Sequence, residues 1–223
     1  MKLLLITFFS LIASFLYSQD CGTYYFFQNN KTVEMTIYNK KGDATGRQVY
    51  TVSSVNTTAG ETTATIDSEM FDKKDKSIAK ATNVIKCNNG EIMMDMKMNI
   101  PQTGQTNTDA SATVSSAFMD YPASMNAGDQ LKDASMQMDV ETRGMKQSID
   151  MQVTDRKVES KETVTTTAGT WECYKITSHT KMKIKTMGIG MPMNFDTTEW
   201  FAPGFGVVKT ESKSGGTAIT AIR

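Results

Sequence analysis

Ile85-Lys86-Cys87-Asn88-Asn89-Gly90-Glu91-Ile92-Met93-Met94 lies at the centre of residues 78–100 and decides the fold. Asn-Gly is the preferred pair for a two-residue type I′ loop, whose twist suits the strands on either side. Two strands are therefore expected, Ile78–Asn88 and Glu91–Ile100. The loop sets their register: Asn88 opposes Glu91, Cys87 opposes Ile92, Ile85 opposes Met94 and Asn83 opposes Met96. One face then carries Ala81, Ile85, Cys87, Ile92, Met94, Met96 and Met98. The other carries Lys80, Lys86, Glu91, Asp95 and Lys97. A face that is apolar on one side and charged on the other marks a half-buried antiparallel hairpin.

The same alternation extends outward in both directions. Before it, Val33, Met35 and Ile37 share a face and residues 39–43 read as a turn. Arg47–Val55 forms a strand, Ala64, Ile66 and Met70 face together, and residues 72–76 form a charged turn. After it, a second hairpin runs from Ser135 to Arg156 around Arg143-Gly144. It pairs Val140 with Gln147, Met138 with Ile149 and Met136 with Met151, and sets Asp139, Glu141 and Asp150 on the opposite face. Residues 157–166 follow, with Val158 and Val164 on a common face. Thr170–Lys185 is a long strand with Tyr174, Ile176, Met182 and Ile184 on one side and Lys175, His179, Lys181, Lys183 and Lys185 on the other. Residues 187–193 read as a Gly-rich turn. Residues 194–201, 206–212 and 217–222 complete about eleven strands, and Trp200-Phe201 reads as a strand end before a tight turn. Residues 101–109 form a polar loop, and 110–121 fits either a strand or a short helix.

Composition agrees. The chain has 223 residues and six Leu, five of them before residue 17, against 31 Thr. So little Leu and so much β-branched Thr exclude a helical bundle. The absence of βαβ alternation excludes a parallel dinucleotide-binding fold. The expected class is mainly β: a curved antiparallel sheet, a half-barrel or open barrel, built from hairpins. Balanced charge, 24 basic against 24 acidic residues, excludes a nucleic-acid binder.

Residues 1–18 read as a secretory signal peptide, with Lys2 before an apolar run too short to span a bilayer. Residues 19–223 then form a single antiparallel β domain, with a two-half organisation around 101–130 and no transmembrane segment. Asp20 before Cys21 argues against lipoprotein processing, which wants a small residue there. The expected location is exported, periplasmic or outer-membrane-associated. Export favours one disulfide among Cys21, Cys87 and Cys173. Cys21–Cys87 is the favoured pair, because Cys21 precedes the first strand. Cys173, between Trp171 and Tyr174, reads as a packed thiol.

Several segments carry a family resemblance: Asp20-Cys21 with Tyr24-Tyr25, Tyr38-Asn39-Lys40-Lys41-Gly42, Lys86-Cys87-Asn88-Asn89-Gly90, Tyr121-Pro122, Gly128-Asp129-Gln130-Leu131, Thr167–Ile176 and Glu199–Lys209. In this order they resemble the TapB-like exported proteins of Gram-negative bacteria, part of a wider group of unknown function. The resemblance implies a curved antiparallel sheet, similar in shape to the half-barrels of periplasmic lipoprotein carriers. It carries over no catalytic residue. It implies a tetratricopeptide-repeat envelope protein as a partner.

Methionine is the unusual residue, with 17 in the chain. Core packing in place of Leu is the first reading. Soft thioether sulfur also suits Cu(I), a minor alternative. Flexible Met side chains on the concave face of a curved sheet suit a lipid or acyl chain. The candidate ligand-binding residues are Met94, Met96, Met98, Met136, Met138 and Met151. His179, the single histidine, falls on the lysine-bearing face and reads as solvated. No nucleophile, phosphate-cradle or zinc-protease motif occurs, so no enzyme, metal or cofactor is expected. The expected role is non-catalytic: binding an apolar ligand, or acting as a protein-interaction module of an envelope assembly.

Overall fold

Alternating Thr, Val, Ile and Met between turn residues forms strands, and every strand here pairs antiparallel with its neighbours. The computed structural model describes residues 21–99, 111–114, 117–142, 145–186 and 188–223. Two short 3-10 turns, Cys21–Thr23 and Tyr25–Phe27, precede β1 (Thr32–Asn39), β2 (Ala44–Thr58), β3 (Glu61–Asp72), β4 (Ser77–Asn88) and β5 (Glu91–Asp95). A third, Met96–Asn99, leads to β6 (Ser111–Val114) and β7 (Phe118–Tyr121). Then come β8 (Ala134–Thr142), β9 (Met145–Thr166), β10 (Gly169–Thr186), β11 (Ile189–Ala202), β12 (Gly206–Ser212) and β13 (Gly215–Ile222).

These make one thirteen-stranded sheet in the order β6-β8-β9-β10-β11-β12-β13-β1-β2-β3-β4-β5-β7. Its two edge strands, β6 and β7, are consecutive in the chain. Four residue steps separate Val114 from Phe118, a reach of at most about 14 Å. One descending path thus pairs first with β8, then with β5, and nearly closes the sheet into a barrel. The sheet curves enough to do so because its ladders slip repeatedly, as between Ile37 and Tyr38, Val52 and Ser54, and Thr177 and His179. Each added residue bends a strand and tightens its twist.

The curved antiparallel class is as expected, and so is most of the register. Ile85 opposes Met94 and Cys87 opposes Ile92; Met138 opposes Ile149 and Met136 opposes Met151. Within residues 110–121, Ser111–Val114 and Phe118–Tyr121 are strands, which raises the count from about eleven to thirteen. Three boundaries differ. Asn83 does not pair with Met96, because β5 stops at Asp95. That buried carboxylate accepts the Lys97 amide at 3.0 Å and turns the chain, while the Met96 amide donates to the Ala117 carbonyl at 3.0 Å. Lys97 bends back to pair with Asp95 at 3.0 Å and is half-buried rather than exposed. The strand through residue 156 does not end there: β9 continues to Thr166, passing Asp155 with φ 53°. The Gly-rich stretch is a turn only at its start, since β11 begins at Ile189. The expected leader, the 101–109 loop and the Arg143-Gly144 turn lie outside the described residues.

One end of the barrel is filled. Tyr24, Phe26 and Phe27 fold beneath the strands and meet Ile85, Ile92 and Phe205, with no space for a water between them. Phe205 stands 5.2 Å from Tyr25, 5.7 Å from Phe26 and 5.7 Å from Trp171 between ring centroids. Gly204, at φ +75°, turns the chain where an added Cβ would sit 3.3 Å from the Tyr24 ring. A disulfide joins Cys21 to Cys87 with Cα atoms 5.9 Å apart, tying this N-terminal plug to β4. Cys173 is free and buried. Burial, with Glu172 and Glu162 nearby, pushes its thiol up to about 12.

The Cys21–Cys87 bond closes a separation of 66 residues. On the chain-entropy account its removal by Cys21→Ser with Cys87→Ser costs about 4 kcal/mol, read as a lowered urea midpoint. Thiol counting in denaturant without reductant is expected to give one reactive cysteine, Cys173. Three reactive thiols would contradict the bond.

Candidate functional site

Above the plug lies a polar floor. Its position follows from the slip at Asp155. Met151 and Val153 point inward; past the slip the parity changes, and Arg156, Val158 and Val164 point inward instead. Arg156 is 1% exposed. Its Nη1 donates to the carbonyls of Asp120, at 3.1 Å, and Lys132, at 3.0 Å. Its Nη2 lies 3.7 Å from Glu199 Oε1, and its guanidinium stands 4.9 Å from the Tyr121 ring centroid. The Tyr121 hydroxyl donates to Glu199 Oε2 at 3.1 Å. On its other side Tyr121 stacks on Phe201 at 4.4 Å, with 2° between planes. Burial holds Glu199 above its ordinary 4.5, and Arg156 and the Tyr121 hydroxyl pull it only part of the way back. Burial, reinforced by the Glu199 charge, raises the Tyr121 phenol well above 10.

Over this floor is a cavity of about 1430 Å³. Strands β8 to β11 and β12 to β4 form its wall, and apolar surface outweighs polar. Nine methionines line it, among them Met35, Met70, Met119 and Met182. Four of the six sequence-predicted residues are in this wall: Met94, Met98, Met138 and Met151. Met96, 0% exposed, and Met136, 3% exposed, are packed in the core instead. Several polar groups of the wall have partners, although the buried Asn83 Oδ1 has none among the described residues. Asn83 donates to Ser68 Oγ at 3.0 Å, Asp95 pairs with Lys97, and Glu199 sits in the floor cluster. The cavity opens at the end opposite the plug, beside the β10–β11 hairpin and the β12–β13 turn. His179, placed by sequence among solvated lysines, stands at this mouth with its Nδ1 2.8 Å from Asp196 Oδ1. That hydrogen bond lowers the Asp196 carboxyl.

The model of the DUF3108-like family matches residues 28–219, nearly the whole described barrel. The chain belongs to the DUF3108-like family. This is a family of unknown function, in keeping with the TapB-like group that the sequence resembles. Two crystal structures share the fold. One is a candidate exported protein with a YmcC-like fold from Bacteroides fragilis: TM-score 0.72, 22% identity, covering 90% of this chain and 99% of that one. The other is a candidate lipoprotein from Parabacteroides distasonis: TM-score 0.74, 23% identity, covering 92% of this chain and 100% of that one. No curated protein matches this DUF3108-like chain.

Sequence reasoning missed Arg156, Glu199 and Tyr121. The signal was the change of parity between Met151-x-Val153 and Val158, which requires one extra residue in the strand and turns Arg156 inward. Two tests follow from the cluster. Arg156→Met leaves Glu199 without its counter-charge and is expected to cost about 3 kcal/mol in urea unfolding, much of it recovered in the double variant with Glu199→Gln. Glu199 titrates higher in the folded state than in the unfolded, so it contributes stability below pH 4.5 that is lost as pH rises through its elevated folded value. Glu199→Gln should therefore gain on the wild type between pH 4.5 and 7. A constant difference would refute this.

Proposed function

We propose that this protein is an exported, non-catalytic binder of a long apolar ligand, a lipid or acyl chain, held in the barrel cavity. The carrying observation is the cavity itself. Protein interiors pack with few voids larger than a water, yet this barrel is filled at one end and holds an open-mouthed cavity of about 1430 Å³ at the other. Ligand pockets for drug-sized molecules run to roughly 1,000 Å³, so the space suits a larger ligand. Its methionines supply an apolar wall that adapts to chains of differing shape. Each buried methylene contributes roughly 0.8 kcal/mol. Ten of them offer about 8 kcal/mol before ordering costs, the scale of micromolar binding.

Export is supported by the Cys21–Cys87 disulfide, a bond of oxidising compartments, and by the leader read in residues 1–18. A non-catalytic role is supported by the engagement of the wall carboxylates Asp95 and Glu199 in structural pairs, with Lys97 and with Arg156 and Tyr121. A protein-interaction module would have no use for an unfilled interior.

Titration of delipidated mature protein with a fluorescent fatty acid tests the reading. Saturable micromolar binding is expected. Met151→Trp and Met182→Trp, which grow into the cavity, should weaken it roughly tenfold while leaving the β circular-dichroism spectrum intact. No binding, or binding indifferent to both variants, would overturn the proposal. Tight Cu(I) binding lost with Met94→Ala and Met98→Ala would replace it with the metal reading.

A further inference from the structure

The β10–β11 hairpin rises beyond β12 and β13, flanked on its other side by β9, which pairs with it up to Thr186 opposite Gln147. Strand β12 pairs with β11 only from Thr197 onward, so residues 189–196 pair with β10 alone among the described strands. Directly opposed residues of an antiparallel pair point to the same side. Met182 opposes Met193, Ile184 opposes Met191, and Thr186 opposes Ile189. On this side an apolar track runs out of the cavity wall, and its exposure climbs with distance: Met182 is 7% exposed, Met193 39%, Met191 60% and Ile189 74%. Only one other large apolar residue is as exposed among the described residues, Ile222. The opposite side carries Lys181, Lys183 and Lys185, all exposed. None of the three has an ion-pair partner among the described residues, although exposed Asp150 stands across from Lys183 on β9. Lys185 has Ser148 and Gly190 as its cross-strand neighbours.

We propose that this hairpin tip docks the protein on an anionic phospholipid bilayer, with Ile189 and Met191 inserted between headgroups and Lys183 and Lys185 against lipid phosphates. Apolar side chains at a tip backed by unpaired cations match the bilayer interface in both polarity and charge. The spacing agrees. Lys183 lies two residues, roughly 7 Å, behind Lys185, and surface-seated elements reach about 5–10 Å into the interface. The free edge of β11 argues against a protein strand as the occupant. Pro192 stands on that edge, where a missing N–H and a rigid ring oppose the addition of another strand. Docking here sets the mouth of the cavity against the lipid.

Co-sedimentation of the mature protein with phosphatidylglycerol–phosphatidylethanolamine vesicles, against pure phosphatidylcholine, tests the proposal. Binding to the anionic vesicles alone is expected, weakening as salt rises. Lys183→Glu with Lys185→Glu should lower partitioning by at least twentyfold, at roughly fivefold for each lysine lost. Ile189→Ser with Met191→Ser should lower it at least tenfold. Met191→Trp should blue-shift its emission on the vesicles, because Trp171 and Trp200 lie toward the plugged end and give a constant background. Failure of the wild type to sediment, or equal binding by both double variants, would overturn the proposal. So would a concentration-dependent dimer abolished by Ile189→Ser with Met191→Ser, which would make a second copy the occupant. Met151→Trp separates the two readings: it should lose fatty acid and still sediment. Fatty-acid binding without vesicle binding would reject docking alone.

Discussion

A guanidinium in the interior holds this barrel together. Arg156 reaches from β9 to the Asp120 carbonyl on the last edge strand and to the Lys132 carbonyl before β8. Those two segments lie on either side of the one place where the sheet is not hydrogen-bonded to itself. A sheet that curls without meeting leaves open backbone groups at its margin. Here one side chain satisfies carbonyls from both sides at once. Its charge is expensive to bury, and Glu199 and the face of Tyr121 offset that cost. Phe201 stacks on Tyr121 in turn, so the seam, the floor and the core beneath are one connected set of contacts.

That layer divides the barrel into two unlike halves. Below it, aromatic side chains and a disulfide-tethered plug take up the volume. Above it, methionine is the commonest residue of the wall and the volume stays open. The same strands serve both halves. The difference lies in what enters the lumen: Tyr24, Phe26 and Phe27 from the N-terminal segment fill one end, and no described segment folds back into the other.

Much of this was legible in the residues. Asn89-Gly90 set the register of its hairpin, because a two-residue loop leaves one solution, and the expected pairs Met138 with Ile149 and Met136 with Met151 hold in the second. The inward placing of Met94, Met138 and Met151 followed from alternation alone. What alternation could not reach was any place where period two is broken. Asp155 inserts one residue and sends Arg156 inward; Asp95 ends β5 by capping an amide through its side chain. Both depend on contacts with distant segments, at Asp120 and Ala117. Equally hidden was the division of the methionines, since strand parity says which side of a sheet a residue takes and not what packs over it. Met136 is in the core although it stands across from the lumen-lining Met151, and the 3-10 turn after β5 buries Met96 while Met98 reaches the lumen.

The pairing of β1 with β13 carries a consequence for how the molecule is made. Thr32 and Arg223 exchange backbone hydrogen bonds of 2.8 and 2.9 Å, and the Tyr25 hydroxyl donates to the Arg223 carbonyl at 2.6 Å. The other ladders, save those of β6 and β7, join consecutive strands, which can zip as each hairpin emerges. β1 is different: one of its two neighbours, β13, comes twelve strands later in the chain. During vectorial emergence from ribosome or membrane its outer edge stays open for the passage of twelve further strands. Completion of the barrel is therefore a late, long-range event, and a nascent chain stalled before β13 presents β1 as an unprotected edge for aggregation or for chaperones to cover.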